Sequence, residues 1–148
     1  MGIDLKEGDV VFLDTAPFIY YFEKHPNYFP LMQSLMDRVY ALNIQVVTSA
    51  ITYIEIAIYP ARLGQNRLVA KYRDFFNYSE NIHLLPLDLV TSDCVVRLRA
   101  EYGFKTPDAV QLGTAVVCGA DYIVTNDRAW KKFRETRVVM VEELGDLL

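Results

Sequence analysis

The stretch TPDAVQLGTAVVCGADYIVTND carries one aspartate near its start, Asp108, and another at its close, Asp127. From Asp108 to Cys118 the pattern reads as a helix, with Thr106 as N-cap and Pro107 at the first helical position. Gly119 is a stop signal, and Asp121 to Thr125 reads as a short β-branched and aromatic strand. Ten helical steps cover about 15 Å and five extended steps about 16 Å, so an antiparallel return brings Asp127 back beside Asp108. Two carboxylates so placed are suited to a divalent cation. Asp121 starts the strand that Asp127 follows, and so belongs to the opposite edge.

Two further acids join them. Asp14 ends the apolar run Val10 to Leu13, and Glu55 lies within two turns of the helix that follows Gln45 to Thr48. Taken singly, Asp14 and Asp127 could be helix N-caps and Asp108 a residue favouring the helix dipole. Glu55 resists such a reading, because it is the only charge in AITYIEIAIY, and an unpaired carboxylate on a helix apolar all round would be costly to desolvate. Together the four acids would raise one another's pKa, a cost that a hard cation with oxygen ligands offsets. Thr125 and Asn126, next to Asp127, are placed to orient water or an aspartate. No glycine-rich phosphate loop, GxSxG elbow or HExxH occurs, and His25 and His83 lack ligand spacing. An acid-only set points to phosphate chemistry with Mg²⁺ or Mn²⁺.

The elements that must position these residues alternate. Val10 to Leu13 reads as a buried strand, followed by an amphipathic helix to about Glu23 that His25-Pro26 breaks. Leu31, Leu35, Met36, Val39 and Leu42 recur at helical spacing after Pro30. Gln45 to Thr48 is the second strand. Ser49 caps a helix to about Tyr59, ended by Pro60 and Gly64, and Leu68 to Tyr78 forms another. Ile82 to Leu85 is the third strand, and Asp88 caps a helix from Leu89 to Tyr102. After the Asp108–Asp127 unit, Trp130 and Phe133 lie on a short helix, and Val138 to Val141 forms the last strand. The expected fold is a single-domain, three-layer α/β/α sandwich over residues 1–148, with a mainly parallel five-stranded sheet. Ligands of such sheets bind outside the carboxyl ends of the strands, where strand order switches, and all four acids belong to that rim.

The 148 residues, 52% of them hydrophobic, suffice for one well-buried core. Cys94 and Cys118 sit among apolar neighbours and read as reduced, buried thiols. No window is apolar enough to span a bilayer, and the N-terminal residues carry no signal-like core, so a cytoplasmic protein without membrane contact is expected. The net charge of −4 excludes a global basic footprint for nucleic acid. Local binding is possible at RAWKKFRETR, where Arg128, Lys131 and Lys132 are candidates for RNA-backbone contacts.

With these motifs in order, the chain resembles the PIN-domain ribonucleases, and within them the VapC-type toxins of toxin–antitoxin pairs. LDT at Leu13 to Thr15, TYIE ending at Glu55, PDAVQLGTA from Pro107 and VTND ending at Asp127 look like the four acidic motifs of that family. The resemblance implies a metal-dependent endoribonuclease, frequent homodimerisation, and a small antitoxin partner that covers or disturbs the acidic pocket. Asp14, Glu55, Asp108 and Asp127 are then both catalytic and metal-binding, holding one or two Mg²⁺ or Mn²⁺ ions. A pair of ions would lie about 3.5–4 Å apart. Two other readings compete. One is a non-catalytic PIN-like binding module, and the other a receiver-like or aspartyl-phosphate phosphotransfer domain, which also gathers acids at this rim.

Overall fold

In the computed structural model, which describes residues 3–147, five strands form one sheet in the order β3-β2-β1-β4-β5, every pairing parallel. The strands are β1 (Val10–Leu13), β2 (Gln45–Ser49), β3 (Ile82–Leu85), β4 (Tyr122–Thr125) and β5 (Arg137–Met140). The helices are α1 (Thr15–Phe22), α2 (Phe29–Ala41), α3 (Ala50–Arg62), α4 (Asn66–Tyr78), α5 (Leu89–Tyr102) and α6 (Thr106–Val117). Two 3₁₀ segments, Arg128–Lys132 and Val141–Leu147, flank β5.

The strands are apolar because both of their faces are covered. Along β1, Val11 and Leu13 enter one core with Phe18, Leu35, Val39 and Val46, while Phe12 enters the other with Val47, Leu98, Leu112 and Ile123. The period-2 alternation therefore separates two hydrophobic layers rather than core from solvent. α1 and α2 close the first layer; α5 and α6 close the second. These two helices meet closely at Gly113, where a Cβ would stand 2.9 Å from Val95 Cγ2.

Several element ends differ from expectation. α3 runs through Pro60 to Arg62, because proline removes only one N–H from a last turn and its ring is buried. α6 begins at Thr106 itself, with Lys105 in the cap position and no side-chain cap bond. α4 starts at Asn66, β2 extends to Ser49, and β5 is shifted one residue toward the N-terminus, to Arg137–Met140. Phe133 lies just beyond the 3₁₀ segment that carries Trp130. Cys94 and Cys118 are free and half-buried. His83 is exposed on the edge strand β3, its Nε2 2.6 Å from Gln45 Oε1.

The strand order fixes where a site can form. From β1 the chain first builds outward through β2 to β3, then returns to lay β4 on the opposite flank of β1. The carboxyl ends of β1 and β4 therefore border the switch point. Leu13 pairs with Val124, and Asp14 N–H continues the ladder to Val124 O at 3.0 Å. Asp121, by contrast, accepts from Val10 N at 2.8 Å, at the other end of the strands.

Candidate active site

Asp14 leaves β1 in extended conformation and opens α1. Its Oδ1 accepts from Thr15 N at 2.8 Å and from Gln111 Nε2 at 3.2 Å, and its Oδ2 from the Thr125 hydroxyl at 2.7 Å. A carboxylate offers about four acceptor positions, so three donors leave one, on Oδ2. Burial still pushes the Asp14 carboxyl above its ordinary range, the three donors opposing this and the charge of Glu55 adding to it.

Gln111 is the hub behind Asp14. It is 1% exposed on α6, one turn after Asp108, and its Nε2 also donates to Thr52 Oγ1 at 2.7 Å. Its Oε1 accepts from Ser49, whose hydroxyl in turn accepts from Ile51 N as the cap of α3. This chain of bonds fixes which way the amide points: reversed, its oxygen would oppose the carboxylate. Thr48 Oγ1 lies 2.8 Å from both Leu13 O and Thr52 Oγ1, so β1, β2, α3 and α6 are joined by one buried polar network. Thr52 and Gln111 were not singled out by sequence, and Ser49 was read only as the cap of α3. The available signal was Gln111 itself, a lone amide on an otherwise apolar helical stretch.

Glu55 is exposed, contrary to the desolvation expected of it. Its neighbours Ile54, Ile58 and Tyr59 face outward with it, so α3 is apolar on its outer side without being buried there. Glu55 Oε1 accepts from the Thr15 hydroxyl at 2.7 Å. Asp108 sits half-buried in the first turn of α6. Burial raises its pKa first, and the charges of Asp127 and Glu55 raise it further, against Lys105 and the approach of the Trp130 indole. The nearby Trp130 indole N–H favours the Asp108 anion, yet it meets hydrogen-bond geometry with no partner.

Asp127 is exposed and caps the 3₁₀ segment after β4, its Oδ1 accepting from Ala129 N at 2.9 Å. Its own N–H donates to Thr125 Oγ1 at 3.0 Å, so one buried hydroxyl serves both Asp14 and Asp127. Asn126 turns its amide to Tyr20 OH at 2.9 Å. Arg128 is paired with Glu142 at 3.0 Å. Lys132 Nζ donates to Tyr102 O at 2.9 Å and lies over the Phe104 ring. Lys131 borders an open depression of about 700 Å³ with Arg134 and Arg137.

The four acids lie at this rim, where the charge of Glu55 acts on both Asp14 and Asp108 and that of Asp127 acts on Asp108. Among the described residues, no three His, Cys, Asp or Glu side chains stand at metal-ligating spacing. Asp14, Glu55 and Asp127 are each anchored to a donor of the α1 or 3₁₀ turn. The fit to a cation is therefore one of donor chemistry: an all-oxygen, acidic set with a free position on Asp14, suited to a hard divalent ion.

Residues 11–136 match the family model for the PIN domain. No curated protein matches the chain significantly. Among solved structures, the chain is similar to one in a VapBC2 complex from Rickettsia felis bound to a promoter DNA fragment, with TM-score 0.69, 17% identity, and 88% of this chain and 98% of that one covered. It is similar also to a chain of DNA-bound VapBC from Salmonella typhimurium, with TM-score 0.67, 20% identity and coverage of 93% and 99%. A third likeness is to Mycobacterium tuberculosis VapC20, a sarcin-ricin-loop-cleaving toxin, with TM-score 0.62, 14% identity and coverage of 86% and 98%. At these identities the likeness is one of fold.

Proposed function

Since the chain belongs to the PIN domain family, we propose that it is a divalent-metal-dependent endoribonuclease, acting in the cytoplasm as the toxin of a toxin–antitoxin pair. The observation that carries this reading is the gathering of Asp14, Glu55, Asp108 and Asp127 at the switch point between β1 and β4, where Asp14 and Asp108 are both pushed toward higher pKa. Groups so destabilised as anions favour a cation among them.

Asp14 and Asp108 would hold Mg²⁺ or Mn²⁺ directly, with Glu55 and Asp127 completing the site as ligands or through water. When bound, the ion would polarise the phosphoryl oxygen and lower the pKa of a nearby water. The chain's own residues supply position. Gln111 and Thr125 fix the plane of the Asp14 carboxylate, and the Thr15 hydroxyl holds Glu55 toward the same rim. Water attacks phosphorus, one phosphorus–oxygen bond of the RNA breaks, and the leaving oxygen takes a proton. Glu55, exposed and facing the rim, is placed to accept the proton of the water. Lys131, four positions after Asp127, is the candidate for an RNA-backbone contact, while Arg128 and Lys132 would have to exchange their present partners to join it.

A groove of about 320 Å³ beside Glu55, lined by Ile19, Phe22, Tyr59, Leu63 and Tyr72, supports an antitoxin segment seated against the site. The exposed Leu89, Val90 and Val96 on α5 support a homodimer.

The deciding experiment uses Asp108→Asn, since asparagine keeps the side chain's size and gives up only about 0.3–1 kcal/mol of helix-dipole interaction in the first turn of α6. The variant should stay folded and lose Mn²⁺-dependent RNA cleavage by more than about 100-fold, beyond what loss of an outer partner costs. Full activity in the variant, or cleavage by the wild type that survives EDTA, would sink the reading. A protein that binds no divalent ion in calorimetry would instead favour a binding-only module.

A further inference from the structure

Trp130 is the only tryptophan of the chain, and it is 1% exposed. It lies on the 3₁₀ segment that Asp127 caps, and its ring packs in the layer that holds Ala109 and Val110, the two residues after Asp108. Its indole Nε1 is the one fully buried side-chain nitrogen or oxygen without a hydrogen-bond partner among the described residues. A buried donor left unpaired is costly, and phenylalanine would fill most of the same space without that cost. The Asp108 carboxylate lies near enough for this N–H to favour its anion, against the larger opposing effect of burial.

We infer that Trp130 is a positioning residue for Asp108: its indole N–H closes onto that carboxylate when a divalent cation draws it in, and holds it in the binding orientation. This inference rests on the metal reading above. Ligating carboxylates are commonly held by hydrogen bonds from behind, and losing such a partner lowers metal affinity about 10–100-fold. The other acids already have theirs: Asp14 is held by Gln111 and Thr125, Glu55 by Thr15, and Asp127 by Ala129 N. For Asp108 the unpaired indole is the nearby donor.

The test compares wild type with Trp130→Phe, using calorimetric Mn²⁺ titration, thermal unfolding in EDTA, and emission of the lone tryptophan during Mg²⁺ titration. Mg²⁺ has no unpaired electrons to quench the ring, so an emission change reports the indole's surroundings. The expected result is a saturable emission change in the wild type and a 10–100-fold weaker Mn²⁺ affinity in Trp130→Phe. Metal-free melting of the variant should stay equal or rise, since a lost structural contact would lower it. Equal Mn²⁺ affinity in the two proteins would overturn the role of Trp130 while leaving the metal site standing. Absence of Mn²⁺ binding in the wild type would overturn the metal reading, and this inference with it. If Trp130→Phe does not fold, the wild-type emission decides alone: no change at Mg²⁺ saturation rejects the inference.

Discussion

At the scale of single residues, the hydroxyl and amide partners of Asp14 carry as much of the site as the acids do. Gln111 spends its amide on Asp14 and Thr52 and its oxygen on Ser49, all in a buried setting. Gln111→Leu keeps the volume and removes every one of these bonds. The variant should lose about 1–3 kcal/mol in chemical denaturation, because Ser49 and Thr52 are left with unmet partners. It should also lose about 10–100-fold in cleavage, because Asp14 is no longer held in plane. Wild-type activity in a stable Gln111→Leu protein would show that the network supports the fold alone. Thr125 at 0% exposure is its counterpart on β4, bonding Asp14 with its hydrogen and Asp127 N–H with its lone pair.

At the scale of elements, the unit formed by α6 and β4 delivers Asp108 and Asp127 together, and its seating depends on a glycine. Gly113 is where α6 touches α5, with Val95 Cγ2 placed 2.9 Å from a would-be Cβ and the Val95 backbone N at 3.5 Å. Gly113→Val should therefore destabilise the fold by about 1–3 kcal/mol through overpacking, despite removing a helical glycine. Denaturant midpoints would check this, and a neutral result would mean that α5 moves freely. Period and punctuation made this unit legible: a Pro-opened helix, a Gly119 in left-handed conformation, and a short β-branched strand. Strand-end aspartates before a turn were equally readable, as with Asp14 and Asp127. The Gln111 network was not, because its bonds join residues 62 and 97 positions apart. The setting of Glu55 was misread for a related reason. A helix with apolar residues all round looks buried in sequence, but only Thr52, Ile56, Ala57 and Pro60 of α3 are fully covered, with Ile51 and Tyr53 partly packed against the cores. Ile54, Ile58 and Tyr59 form an outer apolar surface that one chain alone does not explain.

At the scale of the whole molecule, the raised acids tie stability to pH. Asp14 and Asp108 both have folded pKa values above the ordinary 3.8, so the folded chain binds protons that the unfolded chain would release. Their ionisation costs stability in full above the raised values, and that cost is relieved as pH falls through them toward 3.8. Asp88 and Glu135, lowered by the Thr91 backbone and by Arg97, work in the opposite sense, so the total pH curve mixes both. A difference measurement isolates Asp108. In EDTA, Asp108→Asn should be more stable than wild type at about pH 7.5, and the gap should close by about pH 4. A gap that is constant with pH would contradict the raised value. Saturating Mn²⁺ should reverse the order at neutral pH by stabilising only the wild type. The strand order has one more consequence, which concerns synthesis. β1 is the central strand, and its flank toward β4 stays open until residues 122–125 exist. Asp108 and Asp127 likewise belong to the last third of the chain. During translation, then, a nascent chain can build the β1-β2-β3 half while lacking two of its four acids. The RNA cleavage proposed above would thereby be withheld from the ribosome and message that produce the chain until nearly all of it has emerged.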